Sequence, residues 1–282
     1  MYSVKYKGDN GKEIVLGRDG GIVCDVNFGE GLTVNMSLAQ GFKQIGESVQ
    51  GKSVGGKTIK INGVIFNDVH TRKELIRDVF APFTAGYLIF ENKYKIRVHV
   101  KSTPSFSTNK MDGRFMLQLF AADPFFYSLM EKSELVGEIE PKFSFPVNYA
   151  EPHMFGDIST KRDLLLNNTG NVPVFYSLEL TSISGSLNPV LTNLRTFEFL
   201  KINGSLDIGD KVKVYRNEDG ILRAELIHDG DTTDILSWID EASTFYSLNA
   251  GENLVAINDE GGGLGLMARI SFNPAVSAVY EY

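Results

Sequence analysis

Apolar and polar residues alternate along much of this chain. Thr58-Ile59-Lys60-Ile61, Lys95-Ile96-Arg97-Val98-His99-Val100-Lys101 and Arg114-Phe115-Met116-Leu117-Gln118-Leu119-Phe120 repeat every two positions. So do Ser177-Leu178-Glu179-Leu180, Lys211-Val212-Lys213-Val214-Tyr215 and Arg269-Ile270-Ser271-Phe272. A period of two puts every second side chain on one face, which predicts half-buried β-strands. Asn10-Gly11, Asp19-Gly20, Asp112-Gly113, Asp219-Gly220 and Asp229-Gly230 punctuate these segments. Such dipeptides tolerate positive φ and predict hairpin turns of the right twist. The chain reads as mainly β.

One helix interrupts the alternation, over about residues 70–81. Thr71 and Glu74 have the spacing of a capping box, and Leu75, Ile76, Val79 and Phe80 share one face before Pro82 stops the helix. Ile235-Leu236-Ser237-Trp238-Ile239 predicts one or two further turns, with Trp238 as a core plug. Pro141, Pro146 and Pro152 mark an irregular stretch from Glu138 to Pro152 before alternation resumes at Asp163. Two β domains are therefore expected, residues 1–135 and 136–282.

At 282 residues and 43% hydrophobic content the chain can bury a core without staples. No apolar run approaches the roughly 20 residues needed to cross a bilayer. The basic residues of Met1 to Lys7 have no apolar block behind them, so no secretory signal is expected. The one cysteine, Cys24, lies in an apolar segment and is expected as a small buried hydrophobe in a chain that folds in a reducing cytoplasm. The formal charge is −7, with 35 acidic against 28 basic residues, and the cations are scattered. Neither specific nucleic-acid binding nor docking on anionic membrane is expected from that balance.

One Gly-rich window carries enzyme-like patterns. Gly46 to Ser53 and Gly51 to Thr58 both fit G-x-x-x-x-G-K-[ST], and Gly51-Lys52-Ser53-Val54-Gly55 fits G-x-S-x-G. A phosphate loop needs a helix opening at the Lys-Ser/Thr, and a nucleophile elbow needs a strand-to-helix turn. Here Lys57-Thr58 runs into an alternating strand, so the window predicts a long flexible hairpin or loop. His70, His99, His153 and His228 are too dispersed for a local metal site, and His99 shares a strand face with Arg97 and Lys101. Asp229, Asp231 and Asp234 read as a solvated turn. No catalytic residue, cofactor or metal ligand emerges, and no enzyme is expected.

The order of elements resembles a known family. Gly56 to Ile65, the Arg72-Leu75 helix with Pro82 and Gly86-Tyr87-Leu88, and the Ser102-Thr103-Pro104-Ser105-Phe106 strand end are similar to phage distal tail proteins. Phe115 to Phe126, with its Ala-x-Asp-Pro-Phe run Ala121-Ala122-Asp123-Pro124-Phe125, is the most characteristic piece. Asn168-Thr169-Gly170-Asn171-Val172-Pro173, Gly209-Asp210-Lys211-Val212 and Ser243 to Asn253 resemble that family's second half. Phe272-Asn273-Pro274-Ala275-Val276 departs from it in lacking an aromatic after the proline. The resemblance implies two β-sandwich domains, the first with one α-helix and a long β-arm, the second galectin-like. It implies a hexameric ring at the virion tail tip, assembled in the bacterial host cytoplasm, of a siphovirus or prophage. Implied partners are a tail tube protein above, a baseplate hub, tail-associated fibre or lysin protein below, and a receptor-binding protein. The arm, about residues 38–57, would clasp the neighbouring subunit through Phe42, Ile45, Val49 and Val54. Three other readings stay open: a carbohydrate-binding β-sandwich module of a phage tail, another structural tail component, and an enzyme.

Overall fold

The alternating segments form strands in a computed structural model that describes residues 4–28, 31–108, 112–137, 139–141, 156–158, 162–261 and 265–279. Most of the expected irregular stretch from Glu138 to Pro152, residues 142–152, lies outside these residues. The chain divides into two units, Met1–Met130 with Ala275–Tyr282, and Glu131–Pro274.

The first unit contains β1 (Val4–Gly8), β2 (Glu13–Leu16), β3 (Ile22–Val26), β4 (Val34–Ala39), β5 (Ser48–Val54), β6 (Lys57–Ile65), α1 (Val69–Val79), β7 (Ala85–Phe90), β8 (Tyr94–Phe106), β9 (Arg114–Ala121) and β10 (Phe126–Ser128). An antiparallel sheet runs β2-β1-β7-β8-β9-β6-β3. Alternate residues of each strand face one core: Ile59 and Ile61 of β6, Ile96 and Val98 of β8, Leu117 and Leu119 of β9 are all buried. The Tyr6 and Phe80 rings meet at a tilt, 4.5 Å apart, and Phe28 meets Phe90 and Phe126 edge-on at 5.3 and 5.7 Å. Helix α1 closes this core with Ile76, Val79 and Phe80.

Two local expectations need correction here. The helix starts at Val69 because Asp68, at φ 50, turns the chain one step earlier. Thr71 Oγ1 donates to Asp68 Oδ1 at 3.1 Å and no side chain caps the backbone, so the capping box is not formed. Asp19-Gly20 does not close a hairpin: it lies in a 3-10 turn between β2 and β3, which occupy opposite ends of the strand order. Arg72 pins this turn by donating from Nη1 to the Gly20 carbonyl.

The second unit contains β11 (Lys132–Val136), β12 (Ile139–Pro141), β13 (Gly156–Ile158), β14 (Asp163–Asn168), β15 (Ser177–Ser182), β16 (Ser186–Leu187), β17 (Val190–Asn193), β18 (Phe199–Lys201), β19 (Ser205–Leu206), β20 (Lys211–Arg216), β21 (Leu222–His228), β22 (Asp231–Asp234), β23 (Gly251–Asn258) and β24 (Leu266–Phe272). One sheet runs β11-β24-β15-β20-β21-β22 and a second runs β14-β23-β17-β18. Leu178, Leu180, Val212, Val214 and Ile270 are buried from the first, Leu164, Leu166, Leu191, Val255 and Ile257 from the second. Asp229 (φ 49) and Gly230 (φ 93) make the two-residue turn of the β21–β22 hairpin, which requires positive φ at both positions. Trp238 is not the core plug. Ile235 turns inward as its N–H bonds the Ala224 carbonyl, while half-buried Trp238 lies over Gly204, where a Cβ would come within 2.6 Å of the indole.

The last described strand, β25 (Ala275–Val276), leaves the second unit and pairs with β10 of the first. Ala275 is fully buried without the aromatic that the family resemblance led one to expect. The span 136–282 is thus not one unit, because these final ladder bonds are made with Phe126 and Tyr127.

Close approach explains Gly63. A Cβ there would sit 2.4 Å from the Phe115 ring and 2.9 Å from Cys24 Sγ. Gly63→Ala is expected to destabilise the first unit by about 1–3 kcal/mol in urea unfolding, because both neighbours are packed. Asn62→Ala, on the exposed face, should shift the midpoint little.

Candidate functional site

Among the described residues, strands β4 and β5 pair only with each other, as a separate two-stranded sheet. Val34 pairs with Val54, Met36 with Lys52 and Leu38 with Val49 across a bulge at Ser37/Leu38. Since successive side chains alternate in face, Val34, Met36 and Leu38 stand on one side with Val49 and Val54 opposite them. Those five are 39–55% exposed. At the tip Phe42 is 96% and Ile45 102% exposed. The tip is nonetheless organised: Gly41 N–H donates to Gln44 Oε1 and Gln44 Nε2 donates to Ser48 Oγ, each at 2.8 Å. The hairpin therefore holds seven apolar side chains out to solvent.

All four residues singled out in the sequence, Phe42, Ile45, Val49 and Val54, lie on this hairpin. Val34 and Met36 lie upstream of the expected arm and Leu38, at its start, was not among the anchors, although the alternation of these three extends the arm four residues upstream of residue 38.

The phosphate-loop lookalikes fall within the same segment and build no such site. Lys52-Ser53 lies within β5, and Lys57-Thr58 opens β6 rather than a helix. Lys57 is buried, with Nζ 4.3 Å from the centre of the Phe126 ring. Burial pushes the Cys24 thiol up to about 12, so little thiolate exists at neutral pH.

The motifs behind the family resemblance turn out to hold loops in place. Asp123 accepts from Phe125 N–H at 3.1 Å and from the Tyr127 hydroxyl at 2.6 Å. Asn168 donates to the Val172 and Leu248 carbonyls at 2.9 and 3.2 Å and accepts from Gly170 N–H. Asn253 donates to Asn249 and Gly251 carbonyls and accepts from Asn249 N–H, clamping the entry to β23. Asp210, 4% exposed, accepts from Asp207 N–H at 2.8 Å and meets His228 Nδ1 at 2.6 Å.

Asp207, Asp210 and His228 thus converge, with one ligand atom of each within 4.8 Å of the others. Sequence spacing hid this group because β20 and β21 separate Asp210 from His228 by eighteen positions. Asp210 is already engaged by two donors, which accounts for its burial. His70 faces Glu74 in an exposed pair, His99 is exposed, and His153 lies outside the described residues. An aromatic pocket in the second unit, lined by Phe175, Tyr176, Tyr215, Arg216 and Tyr246, encloses about 20 Å³. That is room for about one water, not a sugar ring.

No family model matches the chain, and no curated protein matches it significantly. Among solved structures, the SPP1 Dit protein (gp 19.1) superposes with a TM-score of 0.66 at 12% identity, covering 98% of this chain and 99% of that one. The chain has the fold of SPP1 Dit. That protein is described as a paradigm of the hub adsorption apparatus in phages infecting Gram-positive bacteria. A chain of the phage P2 baseplate, in its activated conformation with Ca, aligns over 99% of this chain and 100% of its own at 10% identity and a TM-score of 0.49. The mainly β architecture inferred from alternation, with one helix after β6, is the architecture found.

Two expectations follow. Lys57→Ala should cost about 1–2 kcal/mol by removing the ammonium and its stem from Phe126. ATP with Mg²⁺ should raise the melting temperature of neither protein; a nucleotide-dependent rise lost in the variant would contradict this. The hydrogen bond to Asp210 and its charge raise the His228 pKa above 6.5. A raised value means the folded state holds the proton more tightly, so the stabilisation is full below 6.5 and fades as pH climbs through the raised value. The stability gap between wild type and His228→Gln should therefore be larger at about pH 5.5 than at about pH 8 in parallel urea titrations. A gap that widens with pH would contradict the pairing.

Proposed function

We propose that this chain is a non-enzymatic structural subunit of a phage tail tip. It forms a hexameric ring that joins the tail tube above to the baseplate hub, tail-associated fibre or lysin protein below, and leaves a channel for DNA. The observation that carries this reading is the β4–β5 arm, whose seven apolar side chains stay 39–102% exposed even where they pair across its two strands, on a chain with the Dit fold. Each such side chain contributes roughly 1.5–3 kcal/mol when buried, and an isolated two-stranded hairpin is marginal in water. A neighbouring subunit supplies the missing surface.

A head-to-tail contact repeated by rotation closes into a ring. The net charge of −7 suits a conduit wall, since strong DNA binding depends on cations that displace phosphate counterions. The second unit is the galectin-like sandwich, turned outward and available to a receptor-binding protein. The assembly belongs at the virion tail tip and is built in the host cytoplasm.

Gly55 N–H donates to the Thr33 carbonyl at 3.3 Å, so the ends left by removing residues 34–54 already meet. Replacing that segment with a short Gly-Ser link should give a folded, soluble protein that neither forms rings nor completes tails. Phe42→Ser and Ile45→Ser should weaken assembly in the same direction. Negative-stain imaging and tail complementation read the outcome; six-fold rings built from the shortened chain would refute the clasp.

A further inference from the structure

The outer face of the first unit carries an open cleft of about 750 Å³ bordered by β3, β6 and the end of the β8–β9 hairpin. Strand pairing assembles it: Val23 stands opposite Val64, and Asn62 opposite Met116. Val23, Val64 and Met116 are 38, 44 and 48% exposed, and Phe106 adds an aromatic wall. Gly63 allows Phe115 to close the floor. Asp25 is the acidic group in this lining. The other charge, Arg114, is tied to Asp112 through Nε and Nη2, both at 2.9 Å. Among the described residues no cation pairs with Asp25.

The arm presents the complementary surface. Its apolar side, Val34, Met36, Leu38, Val49 and Val54, is interrupted by one charge, Lys52, cross-strand from Met36. Among the described residues no anion pairs with Lys52. An apolar recess holding one unpaired carboxylate thus matches an apolar stripe holding one unpaired ammonium. Among the described residues the arm's strands pair with no other strand, and the arm joins β6 at Lys57, whereas the cleft lies near Gly63 and Val64.

We infer that the arm of a second copy of this chain lays its apolar side in this cleft, with Lys52 facing Asp25. This rests on the clasp reading and adds where the clasp lands and what sets its register. The charge pair fixes orientation, because like charges brought together there are strongly disfavoured.

Cross-copy disulfide capture tests the site without requiring a stable ring. Full-length Met36→Cys and full-length Met116→Cys, both also Cys24→Ala, are mixed at high concentration and oxidised. The expected result is a mixed disulfide well above that of a Met36→Cys with Glu241→Cys control. Asp25→Lys in the cleft partner, or Lys52→Asp in the arm partner, should cut the yield about fivefold, and both together should restore it to within about twofold. Capture at control level, or reversals that add instead of compensating, overturns the site. Loss of rings on arm removal together with control-level capture defeats this docking site alone; rings surviving arm removal defeat the clasp reading beneath it.

Discussion

Residues 34–54 form a ribbon of two strands whose hydrogen bonds close on themselves, and its apolar side chains on the strands stay 39–55% exposed. A ribbon that narrow has no second layer, so its valines, Met36 and Leu38 stay wet until another surface covers them. Exposed apolar clusters of this kind mark interaction sites in soluble proteins. The remainder of the first unit is organised around a filled core in which Tyr6, Phe80 and Phe126 are fully buried. The arm is thus the element in which, among the described residues, the physical demand of the sequence is unmet inside one chain, and the proposed assembly would meet it.

The arm's root explains why this demand does not unsettle the unit. β3 and β6 are antiparallel neighbours, Val26 opposite Ile61, so the arm is a long extension of what would otherwise be one hairpin. At its return, a Cβ on Gly56 would lie 2.6 Å from the Ala121 carbonyl, and Lys57 is buried against Phe126. Ladder pairing with β9 begins at once, Lys57 opposite Ala121. The ordered sheet starts at the residue where the arm ends. An extension rooted this firmly can lose or gain a partner without disturbing the core.

Much of this was legible in the residues. Period-two segments became strands, and the apolar residues of the Gly-rich window proved to stand in solvent. What stayed hidden depended on contacts distant in sequence. Asp68 rather than Thr71 sets the helix start because a left-handed residue outcompetes a local capping pattern. The inward turn of Ile235 depends on Ala224, and the return of Ala275 to Tyr127 crosses nearly 150 positions. The Asp25 cleft exists only because three strands and a hairpin end are brought side by side. The arm's upstream strand carries a different signal: its Gly-rich return marks a hinge, whereas Val34 and Met36 show only in a short alternation that ends at Leu38.

The central claim is that the arm has no sheet partner among the described residues of its own chain and gains one on assembly. Amide hydrogen exchange read by mass spectrometry tests it directly, in dilute monomer and in assembled rings or tails. The account requires the amides of 34–54 to exchange fast in the monomer while those of β6 and β9 stay protected, and to become protected on assembly. Strong protection of the arm already in dilute monomer, or none after assembly, would contradict it.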